Sequence, residues 1–136
     1  MRFVSLILLI CSLVFANSLL AADDEEEEAP KLKPVYHSLA PSLVSNLQEH
    51  KKYIRCDVQL MTKGDENIAK IQSHEAALRH EMLLLMGDQK SSELKTPKGK
   101  EKLRKAALKS LQKILEELEG EKEIIKDLYF TSFFVQ

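Results

Sequence analysis

Between Tyr53 and Thr62 the chain alternates without a slip: Ile54, Cys56, Val58 and Leu60 fall on one side, Tyr53, Arg55, Asp57 and Gln59 on the other. A side-chain repeat of two is that of a strand with one buried and one solvated face. A shorter strand is expected over Ser42–Leu47, directly after Pro41, and Lys63-Gly64-Asp65 supplies a turn. From about Asn67 to Met86 the repeat lengthens. Ile68, Ile71, Leu78, Met82 and Leu85 lie on one helical stripe, and Gly87 is placed to stop it. A second helix is signalled by Thr96, a capping residue, followed by Pro97 at the first helical position. Its apolar stripe is Leu103, Ala107, Leu111, Ile114 and Leu118, with Leu108 and Leu115 beside it and Gly120 at its end. The opposite face carries Lys98, Lys102, Lys105, Lys109 and Lys113, either a solvated surface or a contact for acidic protein or headgroups.

The C-terminal stretch Ile124–Val135 is rich in β-branched and aromatic residues but does not alternate. Leu128, Phe130 and Phe134 oppose Ile125, Tyr129, Phe133 and Val135. A strand apolar on both faces belongs inside a sheet, covered above and below. The predicted order is therefore strand, strand, helix, helix, strand. That makes an α+β domain whose small sheet has a central C-terminal strand covered by two or more helices.

Ahead of this domain, Met1-Arg2 is followed by an apolar run from Phe3 to Ala16, then Asn17-Ser18 and a short apolar extension to Ala22. The run alone suits the core of a signal peptide, being short of the ~20 residues that span a bilayer. With its extension it becomes just long enough for an N-terminal hydrophobic anchor helix. Ala16, Ser18, Ala21 and Ala22 offer cleavage points in the first case. With Arg2 before the run and acids just after it, either reading exports the C-terminal side. Asp23–Pro34 is too acidic and polar to fold and reads as a flexible linker, with a reach of up to ~40 Å. Its acids serve either as a solubilising spacer or to bind a cation or partner. The expected organisation is thus 1–22 signal peptide or anchor, 23–34 acidic linker and 35–136 folded domain.

Composition narrows the functions. The 136 residues carry a formal charge of −1. Setting aside Asp23–Glu28 with Arg2, Lys31 and Lys33 leaves 17 bases against 15 acids, which argues against nucleic acid. Tryptophan is absent, and most aromatics lie at the C-terminal end, so a stacking platform for bases or sugars is not expected. Cys56 is alone in the folded part, and reads as a small buried hydrophobe or as an intermolecular disulfide partner. His74-Glu75 opens like a zinc-protease helix, but position 78 is Leu, and His80 lies about 120° around the helix from His74. No nucleophile elbow or phosphate-cradling motif occurs, and the carboxylates sit on exposed faces. No catalytic residue, metal ligand or cofactor is expected.

Four stretches carry a family resemblance. They are Pro41–Leu47, Glu75–His80 with Leu83–Leu85, Leu94–Leu103 with its Thr-Pro-x-Gly helix start, and Asp127–Gln136 with its closing glutamine. Together they resemble the flagellar basal-body-associated FliL family over residues 35–136. The motif residues are Leu78, Arg79, Thr96, Pro97, Gly99, Leu103, Tyr129, Phe130, Phe133 and Gln136. On the residues themselves, Thr96 and Pro97 should start a helix, and Phe130 and Phe133 should fill the two faces of a strand. The resemblance implies a non-enzymatic periplasmic domain of the stomatin/prohibitin-like type. It further implies a homo-oligomeric ring, contact with the motor's stator units and the basal body, and a role in flagellar rotation, motility and chemotaxis. The site would be the periplasmic side of the inner membrane, or the soluble periplasm if the N-terminal segment is cleaved. The family usually carries a basic stretch before a longer transmembrane helix, whereas here only Met1-Arg2 precedes a short run. A periplasmic binding module or small chaperone unrelated to flagella is the alternative.

Overall fold

The strand that alternates most regularly in the sequence is the hub of the molecule. In a computed structural model, which describes residues 31–136, β3 (Tyr53–Lys63) pairs with every other strand. β1 (Pro34–Ser38) and β2 (Leu43–Asn46) lie antiparallel to it in succession along one edge, with His37 opposite Leu60 and Leu43 opposite Cys56. β4 (Asp127–Val135) lies antiparallel along the other edge, from Met61 opposite Asp127 to Ile54 opposite Val135. The expected N-terminal hydrophobic helix (1–22) and the acidic run lie outside the described residues.

Four helices follow β3: α1 (Asp65–Ser73), α2 (Glu75–Gly87), α3 (Ser91–Leu94) and α4 (Pro97–Glu119). The helices pack on one sheet face, α1 against β1, α2 against β2 and α4 against β4. Between the layers lie Leu43, Ile54, Cys56, Val58, Leu60, Leu78, Met82, Met86, Leu103, Ala107, Leu111, Leu115 and Leu128, all buried. Fully burying an aliphatic side chain of this size contributes about 1.5–3 kcal/mol, so this interlayer packing is the main cohesive term. None of the described helices is long and apolar enough to cross a membrane.

The α+β class is as expected, but the C-terminal strand is not central. β4 pairs only with β3, and its second face is open: Tyr129 and Phe134 are exposed there. The cause is a bulge. The register runs Asp57 opposite Ser132 and then Val58 opposite Phe130, so Thr131 is an extra residue. One extra residue reverses the alternation downstream. Phe130 and Phe133 therefore sit on the same helix-facing side, opposite Val58 and Cys56, rather than on two faces. Their rings meet edge to face at 4.9 Å between centroids.

Other differences are local. The first predicted helix is two helices, broken at His74, whose φ of −112° and ψ of 14° lie outside the helical region. The same stripe continues across the break, with Ile71, Leu78 and Met82 all buried, so periodicity did not reveal it. β1, which opens at Pro34, and the single-turn α3 are not among the expected elements. On α4 the stripe holds through Leu115, while Leu118 is exposed. Gly120 ends α4 in the left-handed region at φ 74°.

Candidate functional site

The motif residues converge on two structural joints. At the first, α3 turns into α4. Thr96 takes an extended backbone and its Oγ1 accepts from the Gly99 amide at 3.0 Å. The same hydroxyl donates to the Glu93 carbonyl at 2.7 Å, tying the new helix to the one before it. Pro97 occupies the first helical turn, where its missing N–H has no partner to lose. Gly99 is required by space: a Cβ there would lie 1.9 Å from the Glu93 carbonyl oxygen. Leu103, one turn on, is buried and anchors the start of α4 to the core. The start of α3 is capped in turn by Glu49, whose two carboxylate oxygens accept from the Ser91 amide at 3.0 and 2.9 Å. That backbone hydrogen bond is the main reason the Glu49 carboxyl is held below its ordinary range.

The second joint lies between β1 and β2. Arg79, on α2, donates from Nη1 to the Leu39 and Pro41 carbonyls at 3.0 and 2.6 Å, across the cis Ala40–Pro41 peptide. One guanidinium thus fixes the crook where the edge strand is interrupted. Leu78 beside it is buried. Ser42 hydrogen-bonds Asp57 across the same crook.

The remaining motif residues lie on β4. Phe130 and Phe133 pack toward the helices, whereas Tyr129 lies on the open face with its ring 6.4 Å from that of Tyr36. Gln136 is zipped to Tyr53: the two exchange backbone hydrogen bonds at 3.0 and 3.2 Å, and the Tyr53 hydroxyl donates to Gln136 Oε1 at 2.7 Å. The opposite end of β4 is held by Arg104, which pairs with Asp127 at 2.6 Å and with both oxygens of Glu101. Burial works against ionisation of Asp127. The Leu128 amide, the Tyr129 hydroxyl and Arg104 outweigh it and hold the carboxyl below its usual range. Arg104 was missed in the sequence because the partner that makes it structural lies on a distant strand.

The two joints do not form a catalytic constellation. Thr96 and Pro97 of the first joint meet Phe133 of β4 in an open groove of about 540 Å³ that Leu94, Lys95, Lys100, Phe134 and Val135 complete. His74 Nε2 lies 2.6 Å from Glu119, while His80 points to solvent. Cys56 is fully buried with Sγ 3.8 Å from Met86 Sδ, which supports the small-hydrophobe reading over an intermolecular disulfide. Desolvation, aided by Asp57, pushes its thiol up to about 12. On α4, Lys98, Lys102, Lys105, Lys109 and Lys113 are exposed.

Compared with known proteins, residues 36–136 match the family described as flagellar basal body-associated protein FliL. A curated relative, the flagellar protein FliL of Aquifex aeolicus (strain VF5), is 28% identical over 115 residues, covering 80% of this chain and 68% of that protein.

Proposed function

This chain belongs to the FliL family of flagellar basal body-associated proteins, and from that premise we propose that it is a non-enzymatic accessory protein supporting the motor's stator units. In this reading residues 1–22 deliver the domain to the periplasmic side of the inner membrane. There it assembles with other copies as a ring and contributes to rotation, swimming and chemotaxis. The observation that carries the reading is the extent of the match. It begins within β1 and takes in every later strand and helix, so the matched residues and this folded unit coincide.

The geometry supports a scaffold more than a reaction centre. The motif residues hold backbone together, through the Thr96 cap, the close approach at Gly99, the Arg79 clamp and the Gln136 zipper. Deleting the gene and following swimming in viscous medium tests the reading. A loss of speed or torque under load is expected, with flagella still assembled, and unchanged motility under load would refute it. Fractionation with N-terminal sequencing of the mature protein separates a retained anchor from a cleaved signal.

A further inference from the structure

We propose that the groove between the start of α4 and the outer edge of β4 receives an extended acidic segment of another protein, which joins the sheet as an additional strand. The proposal goes beyond the flagellar reading and stands without it, because it is tested by peptide binding to the purified chain.

Three consecutive residues, Phe133, Phe134 and Val135, line this groove. Successive side chains of a strand point to opposite faces, so a groove touching all three runs along the strand's backbone edge. The direction of the backbone groups follows from the register. Tyr53 and Gln136 exchange both hydrogen bonds, and bonded and non-bonded pairs alternate along an antiparallel ladder. Phe134, opposite Arg55, therefore bonds inward to β3, while Val135, opposite Ile54, and Phe133, opposite Cys56, turn their N–H and C=O groups outward. Among the described residues nothing pairs with those outward groups. The start of β4 is different, because Arg104 donates to the Leu128 carbonyl at 3.2 Å. Natural sheets usually blunt such an edge with charge, proline or a cover; here the cover stops short of Phe133.

The lining names the kind of occupant. Leu94, Pro97, Phe133 and Val135 make the groove apolar, and Lys95 and Lys100 supply its charge, with no carboxylate among the lining residues. Neither lysine has a carboxylate partner among the described residues, and the Lys100 ammonium lies 5.0 Å from the centre of the Phe133 ring. An added strand would turn every second side chain to this helix-facing side, where apolar ones would meet Leu94 and Phe133 and acidic ones would meet Lys95 and Lys100. Main-chain bonds would supply affinity and the pockets would supply selectivity, as in other cases of strand addition.

The test uses the purified full-length chain and a short fluorescent peptide with threonine at every second position and valine and glutamate taking turns between, read by anisotropy. Saturable binding is expected, weakening with salt. N-methylating alternate peptide amides should weaken it by about tenfold or more. The double variant Lys95→Glu, Lys100→Glu should lose the glutamate peptide and gain affinity for a valine–lysine one. Val135→Pro removes one outward N–H, a change an edge strand tolerates when that N–H faces solvent; it should abolish binding while circular dichroism stays unchanged. If that variant fails to fold, the N-methylated peptide tests the same bonds. Absence of binding, equal binding of the lysine peptide, or indifference to N-methylation would each overturn the proposal. So would a dimer in sedimentation velocity that the peptide displaces and Val135→Pro abolishes, since a second copy would then own the edge.

Discussion

Replacing Gly99 with alanine probes the close approach between the end of α3 and the start of α4. The added Cβ would meet the Glu93 carbonyl oxygen at 1.9 Å and its carbon at 2.5 Å, whereas carbon–oxygen contacts normally settle at about 3.3–3.6 Å. The last turn of α3 and the first of α4 must therefore separate by an ångström or more. That carbonyl also accepts from the Thr96 hydroxyl and amide at 2.7 and 3.1 Å, so separation breaks the cap with it. Losing the cap costs about 1 kcal/mol, and forcing apart well-packed elements costs about 1–3 kcal/mol. Alanine returns about 1 kcal/mol by its better helix propensity. The net expectation is a destabilisation of about 1–3 kcal/mol, or a Tm lowered by roughly 5–20 °C for a domain of this size. Thermal and urea unfolding followed by circular dichroism would measure it. Two controls separate the causes. Thr96→Ala removes the cap alone, at about 1 kcal/mol. Gly120→Ala, where φ is +74° but nothing lies within 4 Å, tests conformation alone, at about 1–2 kcal/mol. Because both touch one hydrogen bond, Thr96→Ala and Gly99→Ala together should cost less than their sum. A Gly99→Ala protein as stable as the parent would refute the reasoning.

Cys56 should resist thiol reagents at pH 8 in the folded protein and react on unfolding, because burial and Asp57 raise its thiol to about 12. Its unfolded value is about 8.5, so its contribution to stability is complete below that pH and is lost as pH rises toward 12. The urea midpoint of a Cys56→Ala variant should accordingly decline less over that range. Asp127 titrates in the opposite sense, since its folded carboxyl lies below the ordinary value. Its contribution is complete above about pH 3.9 and is lost as pH falls through the depressed value, so Asp127→Asn should flatten the acid limb of a stability profile. Arg79→Met should destabilise by about 1.5–3 kcal/mol, the scale of hydrogen bonds from a charged donor. Arg79→Lys should recover only part of that in the same urea titration, because an ammonium lacks the planar fork.

What the sequence disclosed was whatever is encoded locally. β3 was legible because one face is buried along its whole length, and α4 because Thr96, Pro97 and Gly120 mark its ends with side-chain and backbone chemistry. The placement of β4 was not legible. A bulge at Thr131 shifts the parity of every later residue, so two half-strands with one buried face look like a single strand apolar on both. β1 escaped notice because Val35 and His37 are only half-buried on its helix-facing side and Tyr36 is exposed on the other, leaving little contrast to read. The Arg79 and Arg104 clamps were hidden for another reason. Their partners are backbone carbonyls and carboxylates far along the chain, which no periodicity reports.

The pairing of β3 with β4 also sets a schedule for folding. β1 and β2 reach β3 by short connections, but Leu60 meets Leu128 only after all four helices have been traversed. Non-local pairing pays its loop-closure entropy before contacts reward it, so this closure carries the largest loop entropy of the three pairings. Until it occurs, β3 keeps a long unpaired edge from Ile54 to Met61. A chain that has folded this far without β4 is therefore at its most adhesive along that edge.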